Sequence, residues 1–342
     1  MTYRELKQLK NLPLEEKIKL SEQIIREVYK ENKGNVNVSF SGGKDSTVVL
    51  HLVRSLYPEV KAVFFNTTNE HKEIIRFVKE TENVIWLKPR KSFSQILKTE
   101  GYPLVSKEIS ELQKLIMKQF RDNKYLKSIY SMSFFGKNKY KFSNKWLWLL
   151  DEEVAKHYFN SPKEVVKKES WYKVLKEKEQ YYFDVITKKR KELDLKTNDR
   201  IVLTNYCCNV LKKNPFKIYQ NKTKEVSFIG LMTEESNLRL QSILKNGYKH
   251  DYKVYPIYFW TEKDIWDYIN KYNVKISKAY ETEKRTGCVV CGFGLQYDKI
   301  KIKRAYNLQP KRISNLLNIK NQYSTLTFGE AIEKVLLSLE RS

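Results

Sequence analysis

Six consecutive residues, Ser41-Gly42-Gly43-Lys44-Asp45-Ser46, set two hydroxyls, an ammonium and a carboxylate beside two glycines. Glycine lets backbone N–H groups come close to an anion, a helix that starts there aims its positive end at it, and Lys44 adds a point charge. A turn of this kind cradles phosphate or sulfate, with Asp45 suited to holding a metal or ordering the loop. It is not a Walker A loop, because the Gly-x4-Gly-Lys-[Ser/Thr] spacing is missing. The second concentration of reactive groups is the cysteines. The chain has four, Cys207-Cys208 and Cys288-Val-Val-Cys291. Four thiolates suit either zinc or an iron–sulfur cluster, and a CxxC pair by itself also serves redox disulfides.

The flanking pattern says what holds the turn. Val36 to Phe40 reads as a strand, Ser41 to Ser46 as the turn and Thr47 to Leu56 as a helix, with a further helix from Leu14 to about Asn32 leading in. Strand signals recur at Val60 to Phe65 and Asn83 to Leu87, separated by a helical Ile74 to Glu82. They resume at Ile201 to Leu203, Glu225 to Leu231 and Lys253 to Tyr258, before a helix Glu262 to Tyr272 opened by Thr261. Strands alternating with helices predict an α/β chain with a parallel sheet covered on both faces. From about Leu112 to Asp199 the pattern breaks into a basic stretch with sixteen aromatic residues and few Gly or Pro, read as an inserted helical subdomain. The expected organisation is 1–110 and 200–295 as two halves of one core, 111–199 as the insertion and 296–342 as a basic helical tail.

Lys and Arg number 65 against 40 acidic residues, a net charge of +25, which favours a polyanionic partner, nucleic acid first. No apolar run approaches the ~18 residues of a membrane span, and the start of the sequence has no signal-peptide core, so the expectation is a cytoplasmic protein with no membrane partner.

Ser41-Gly42-Gly43-Lys44-Asp45-Ser46 resembles the PP-loop of the adenine nucleotide α-hydrolases, in particular the phosphoadenosine phosphosulfate (PAPS) reductase family and its ATP pyrophosphatase relatives. Two further segments are similar to that family in order. Phe64 to Val78 matches its second strand and polar turn, with Asn66-Thr67-Thr68 where Asp-Thr-Gly is common. Gly230 to Arg239, GLMTEESNLR, matches its Gly-Leu-Arg-x-x-Glu-Ser-x-x-Arg segment through Glu235, Ser236 and Arg239, with Met232 where Arg is usual. The resemblance implies a parallel-sheet adenine nucleotide α-hydrolase-like (Rossmann-like) core carrying the inserted helical subdomain and the helical C-terminal tail. It also implies nucleotide contacts from Ser41, Gly42, Gly43, Lys44, Asp45, Ser46, Ser106, Lys107, Glu235, Ser236 and Arg239, with Lys44 and Asp45 catalytic.

Cys-Cys followed much later by Cys-x-x-Cys resembles the [4Fe-4S] pattern of adenosine phosphosulfate (APS) reductases, and relatives in DNA phosphorothioation are implied to pair a PP-loop with such a cluster. Cys207, Cys208, Cys288 and Cys291 are the expected ligands, with zinc the alternative metal. If all four are ligands, none is left to act as the attacking thiol that sulfonucleotide reductases use. The expected activity is ATP pyrophosphatase chemistry with ATP and Mg²⁺, activating a target such as DNA or tRNA for sulfur transfer from an external donor. The alternatives are an APS or PAPS reductase with an external thiol partner, and a non-catalytic nucleic-acid-binding module with a structural metal. Tyr125, Trp146, Trp148, Trp171 and Tyr172 of the insertion are expected to grip such a strand.

Overall fold

β-branched and aromatic runs give the strands, and apolar residues recurring every three or four positions give the helices. The computed structural model describes residues 1–111, 113–114, 144–149, 184–196 and 198–341. In chain order the principal elements are α1 (Tyr3–Lys10), α2 (Leu14–Glu31), β1 (Val36–Ser39), α3 (Lys44–Leu56), β2 (Ala62–Phe65), α4 (Lys72–Glu80), β3 (Val84–Leu87) and α5 (Phe93–Thr99). After the long intervening stretch come α6 (Asn214–Thr223), β4 (Val226–Ile229), α7 (Asn237–Asn246), β5 (Lys249–His250), β6 (Lys253–Val254), α8 (Glu262–Lys271), α9 (Lys301–Leu308), α10 (Pro310–Leu317) and α11 (Phe328–Glu340). The chain divides into two units, Met1–Arg90 with Val210–Cys288, and Lys91–Asn209 with Val289–Ser342. The boundaries expected at 110/111, 199/200 and 295/296 all fall inside the second.

The first unit holds a six-stranded sheet in the order β3-β2-β1-β4-β6-β5, parallel from β3 to β6 with β5 antiparallel at its edge. Parallel neighbours require crossovers, and the helices supply them. β6 stops short of the expected Tyr258 because Pro256 has no N–H to offer the ladder. Val48, Val49, Leu52 and Val53 of α3, Ile25 and Val28 of α2, and Ile265 and Tyr268 of α8 share one core with Val38, Phe64 and Phe228 of the strands. Each such side chain contributes roughly 1.5–3 kcal/mol by leaving water. Polar pins run through this core: Lys17 Nζ lies 2.6 Å from Asp264 Oδ2, and Ser21 accepts from Trp260 Nε1 at 3.0 Å while donating to the Pro256 carbonyl.

The second unit is organised around Tyr102 and α11. The Tyr102 ring stands 5.2 Å from that of Phe328, and its hydroxyl donates to the Leu326 carbonyl at 2.8 Å and accepts from Asn321 N at 2.7 Å. Ile201 to Leu203, expected as a sheet strand, does not join the sheet. Leu203 instead makes a single parallel bridge with Tyr102, since Pro103 cannot continue a ladder there. Gln113 clamps this segment, donating to Ile201 O and accepting from Leu203 N, both at 2.7 Å. Most of the expected insertion, including Tyr125, Trp171 and Tyr172, lies outside the described residues. Trp146 and Trp148 are described and buried, and Trp148 donates to Ser338 of α11. These two rings are core, not surfaces for bases. No helix of the described residues is long and apolar enough to cross a membrane.

Candidate functional site

Strand order reverses at β1: β2 and β3 lie on one side and β4 on the other. Crevices at such reversals, beyond the carboxyl ends of the strands, are where parallel α/β sheets bind ligands. Here the crevice is a cavity of about 270 Å³ lined by Ser41, Gly43, Lys44, Asp45 and Ser46 after β1 and by Gly230, Met232, Glu234 and Glu235 after β4. Glu262 at the start of α8 and the segment Tyr280 with Lys284 to Gly287 complete the wall.

The turn is tighter than the sequence suggests. α3 begins at Lys44, not Thr47, because Ser46 Oγ and Thr47 Oγ1 both donate to the Gly43 carbonyl at 2.9 Å and close the first helical turn on it. Gly43 is therefore the cap, and Lys44, Asp45 and Ser46 stand in the first turn, where amides face outward and the helix dipole favours an anion. Ser46 Oγ also accepts from Ser41 N at 3.2 Å, so the loop is strapped across its own mouth. Gly230 must be glycine: a Cβ there would lie 2.8 Å from the backbone of Asp45 and Ser46.

Lys44 is buried, and its Nζ lies 2.9 Å from Asp45 Oδ1 and 3.5 Å from Glu262 Oε1. Burial opposes its charge, but the attraction and hydrogen bond of Asp45, helped by Glu262, outweigh it and raise its pKa above that of an ordinary lysine. The ammonium is thus fixed and charged at neutral pH. The Lys44 amide donates to the Tyr280 hydroxyl at 2.7 Å, which in turn meets Thr286 Oγ1 at 2.9 Å. Burial raises the pKa of Tyr280, so that hydroxyl stays neutral.

Of the expected contacts, Ser41, Gly43, Lys44, Asp45, Ser46 and Glu235 line the cavity. Gly42, Ser236 and Arg239 are not among the lining residues: Gly42 faces Ile74 and Val78 of α4, Arg239 pairs with Glu235, and Ser236 caps α7 by accepting from Arg239 N. Ser106 and Lys107 belong to the second unit, where Ser106 Oγ accepts from Ile109 N at 3.1 Å as a helix cap. The sequence reading missed Glu234, Glu262, Tyr280, Lys284, Arg285 and Thr286. The basic run Lys284-Arg285 before Thr286-Gly287 was the available signal, whereas Glu262 looks like any first-turn acid after a cap.

Cys207, Cys208 and Cys291 lie in the second unit and Cys288 closes the first. Within the second unit one short segment meets both cysteine stretches, as Tyr102 bridges Leu203, four residues before Cys207, and Leu104 bridges Gly292, next to Cys291. Among the described residues, however, no group of three or more His, Cys, Asp or Glu side chains is gathered to hold a metal ion.

The family model described as phosphoadenosine phosphosulfate reductase domain matches residues 35–115 and 105–293. An uncharacterised protein of Methanocaldococcus jannaschii is 37% identical over 93 residues, 25% of this chain, and the chain spans 22% of that relative's length. A crystal structure of phosphoadenylyl-sulfate (PAPS) reductase from Candida auris, in a phosphate complex, is similar over 84% of this chain and 96% of that one, at 10% identity and a TM-score of 0.38.

Proposed function

This chain belongs to the phosphoadenosine phosphosulfate reductase domain family, and from that premise we propose that it is an ATP pyrophosphatase activating an acceptor, a nucleic acid, for sulfur transfer. The observation that carries the reading is the cradle itself: a glycine-capped helix start and a buried, fully charged Lys44 at the strand-order reversal. The Asp45 and Ser46 amides of the first turn of α3 and the Lys44 ammonium bind the triphosphate and stabilise the charge that grows on it during displacement. An acceptor oxygen forms a bond to the α-phosphorus as the bond to the β-phosphate bridging oxygen breaks, and pyrophosphate leaves. A sulfur nucleophile then displaces AMP from the activated acceptor. Glu262 and Asp45 keep Lys44 in place, and Tyr280 holds the first amide of the helix in line.

Asp45, Glu234 and Glu235 line the cavity without forming a gathered metal site, so Mg²⁺ would be carried in on the triphosphate, where it would neutralise phosphate charge and favour departure of pyrophosphate. The [4Fe-4S] assignment to Cys207, Cys208, Cys288 and Cys291 is supported by their spacing and not by a gathered ligand set, and no step passes through it.

Anaerobic calorimetric titration with ATP plus Mg²⁺, and separately with APS and PAPS, tests the reading. ATP binding that Lys44→Ala weakens by about a hundredfold, on the scale of a lost buried charge contact, is expected. A preference for APS or PAPS would replace it with a sulfonucleotide reductase drawing on an external thiol.

A further inference from the structure

A second charged surface lies in the second unit, in the segment 296–311, outside the sequence range 111–199 where nucleic-acid contacts were expected. It is α9 with the turns on either side. Ile302, Ala305 and Gln309 are buried, so the opposite face of α9 must point to solvent. That side of α9 presents the exposed Lys303 and Tyr306 at i and i+3, and the exposed Lys299 stands in the turn before the helix, its Nζ 3.5 Å from the Leu339 carbonyl. Tyr297 precedes it at 86% exposure and the exposed Lys311 follows. Asp298 is the only acidic residue between 296 and 320, and Arg304 engages it at 3.0 Å.

Chemistry narrows the partner. An aromatic ring left almost wholly in water beside lysines serves no packing purpose, but it offers a face for stacking a base while the ammonium groups meet the neighbouring phosphates. From Lys303 to Tyr306 the helix advances about 4.5 Å, close to the ~3.4 Å step of one nucleotide along a strand.

We propose that this face binds single-stranded nucleic acid, with Lys299, Lys303 and Lys311 on phosphates and Tyr297 and Tyr306 stacked on bases. The proposal rests on the reading of the acceptor as a nucleic acid and supplies the surface that holds it.

The test is fluorescence anisotropy with labelled single-stranded DNA and RNA of about 12 nucleotides, within the span such sites cover, and with the matching duplex. The variant K299E/K303E/K311E is compared with K7E/K19E/K30E, the same charge change at exposed lysines of α1 and α2. Reversal on α9 is expected to weaken single-strand binding by at least about tenfold at ~0.15 M salt and the control by less than about threefold. Tyr297→Ala with Tyr306→Ala should cost a further ~tenfold on single strands and little on duplex.

Equal losses from the two charge reversals would overturn the proposal in favour of bulk attraction by a +25 protein. So would tyrosine-independent binding, or binding to anionic phosphatidylserine vesicles with none to the oligonucleotides. ATP titrations on the same variants separate the two readings. Oligonucleotide binding that survives Lys44→Ala, beside ATP binding that survives the α9 reversals, supports both. Oligonucleotide binding without any ATP binding keeps this surface and removes the pyrophosphatase.

Discussion

Gly42 and Gly247 share a positive φ, +72° and +75°, but have different surroundings. A Cβ on Gly42 would meet the methyls of Ile74 and Val78 at 2.9 Å, both buried in α4, while a Cβ on Gly247 meets nothing within 4 Å. Gly42→Ala therefore suffers strain and overpacking together, about 2–6 kcal/mol, whereas Gly247→Ala suffers backbone strain alone, about 1–3 kcal/mol. Urea midpoints measure both, and equal losses would show that the wall formed by α4 yields. Thr68 shows the reverse situation: it holds φ +60° where the resembled motif commonly has glycine, with its amide donating to Asn66 Oδ1 at 2.9 Å. The place of Lys44 at the mouth of the glycine turn was legible from its neighbours. Its restraint by Glu262 was not, because that residue is 218 positions away and looks like an ordinary helix-start acid.

At the scale of elements, the position of α8 against α2 is what brings Glu262 to the site. The Lys17–Asp264 pair fixes that contact, and Asp264 also accepts from the Thr261 amide at 2.7 Å as part of the helix cap. Burial works against the Asp264 carboxylate, but the hydrogen bonds of Lys17 and Thr261 and the charge of Lys17 prevail and lower its pKa below 3.8. Its contribution to stability is thus fully present above the ordinary carboxylate value and is lost as pH falls through the lowered one. Asp264→Asn leaves Lys17 buried without a counter-charge and should cost about 3–5 kcal/mol at neutral pH. Its stability should also fall less steeply in acid than that of the unaltered protein. A pH series of chemical denaturation checks both, and identical slopes would mean that another carboxylate governs acid unfolding. The helix boundaries read from the sequence hold to within a few residues, except where side-chain hydroxyls pulled the start of α3 back to Lys44.

At the scale of the molecule, the charge of +25 and the four cysteines make the strongest demands beyond the cradle. Protein purified without oxygen should carry about four iron and four acid-labile sulfide per chain, and Cys207→Ser or Cys291→Ser should lose both. One zinc in their place would make the centre structural, and absence of both metals would leave the cysteines to other chemistry. The division into two units cuts across the linear segmentation, because chain from both sides of the insertion and from the tail builds one core around Tyr102, Phe328 and Trp148.

The sequence by itself determined the alternation of strands and helices, the glycine turn that heads α3, the capped helices and the family resemblance. All of these are written in local spacing and backbone demands that act over a few residues. Only the tertiary structure decided that β4 lies beside β1 and opens the crevice there, that Glu262 and Tyr280 reach Lys44, that Ser106 serves as a cap, and that Trp146 and Trp148 are buried. Those outcomes depend on which distant segments exclude water from one another, and burial between segments leaves no period in the chain that encodes it.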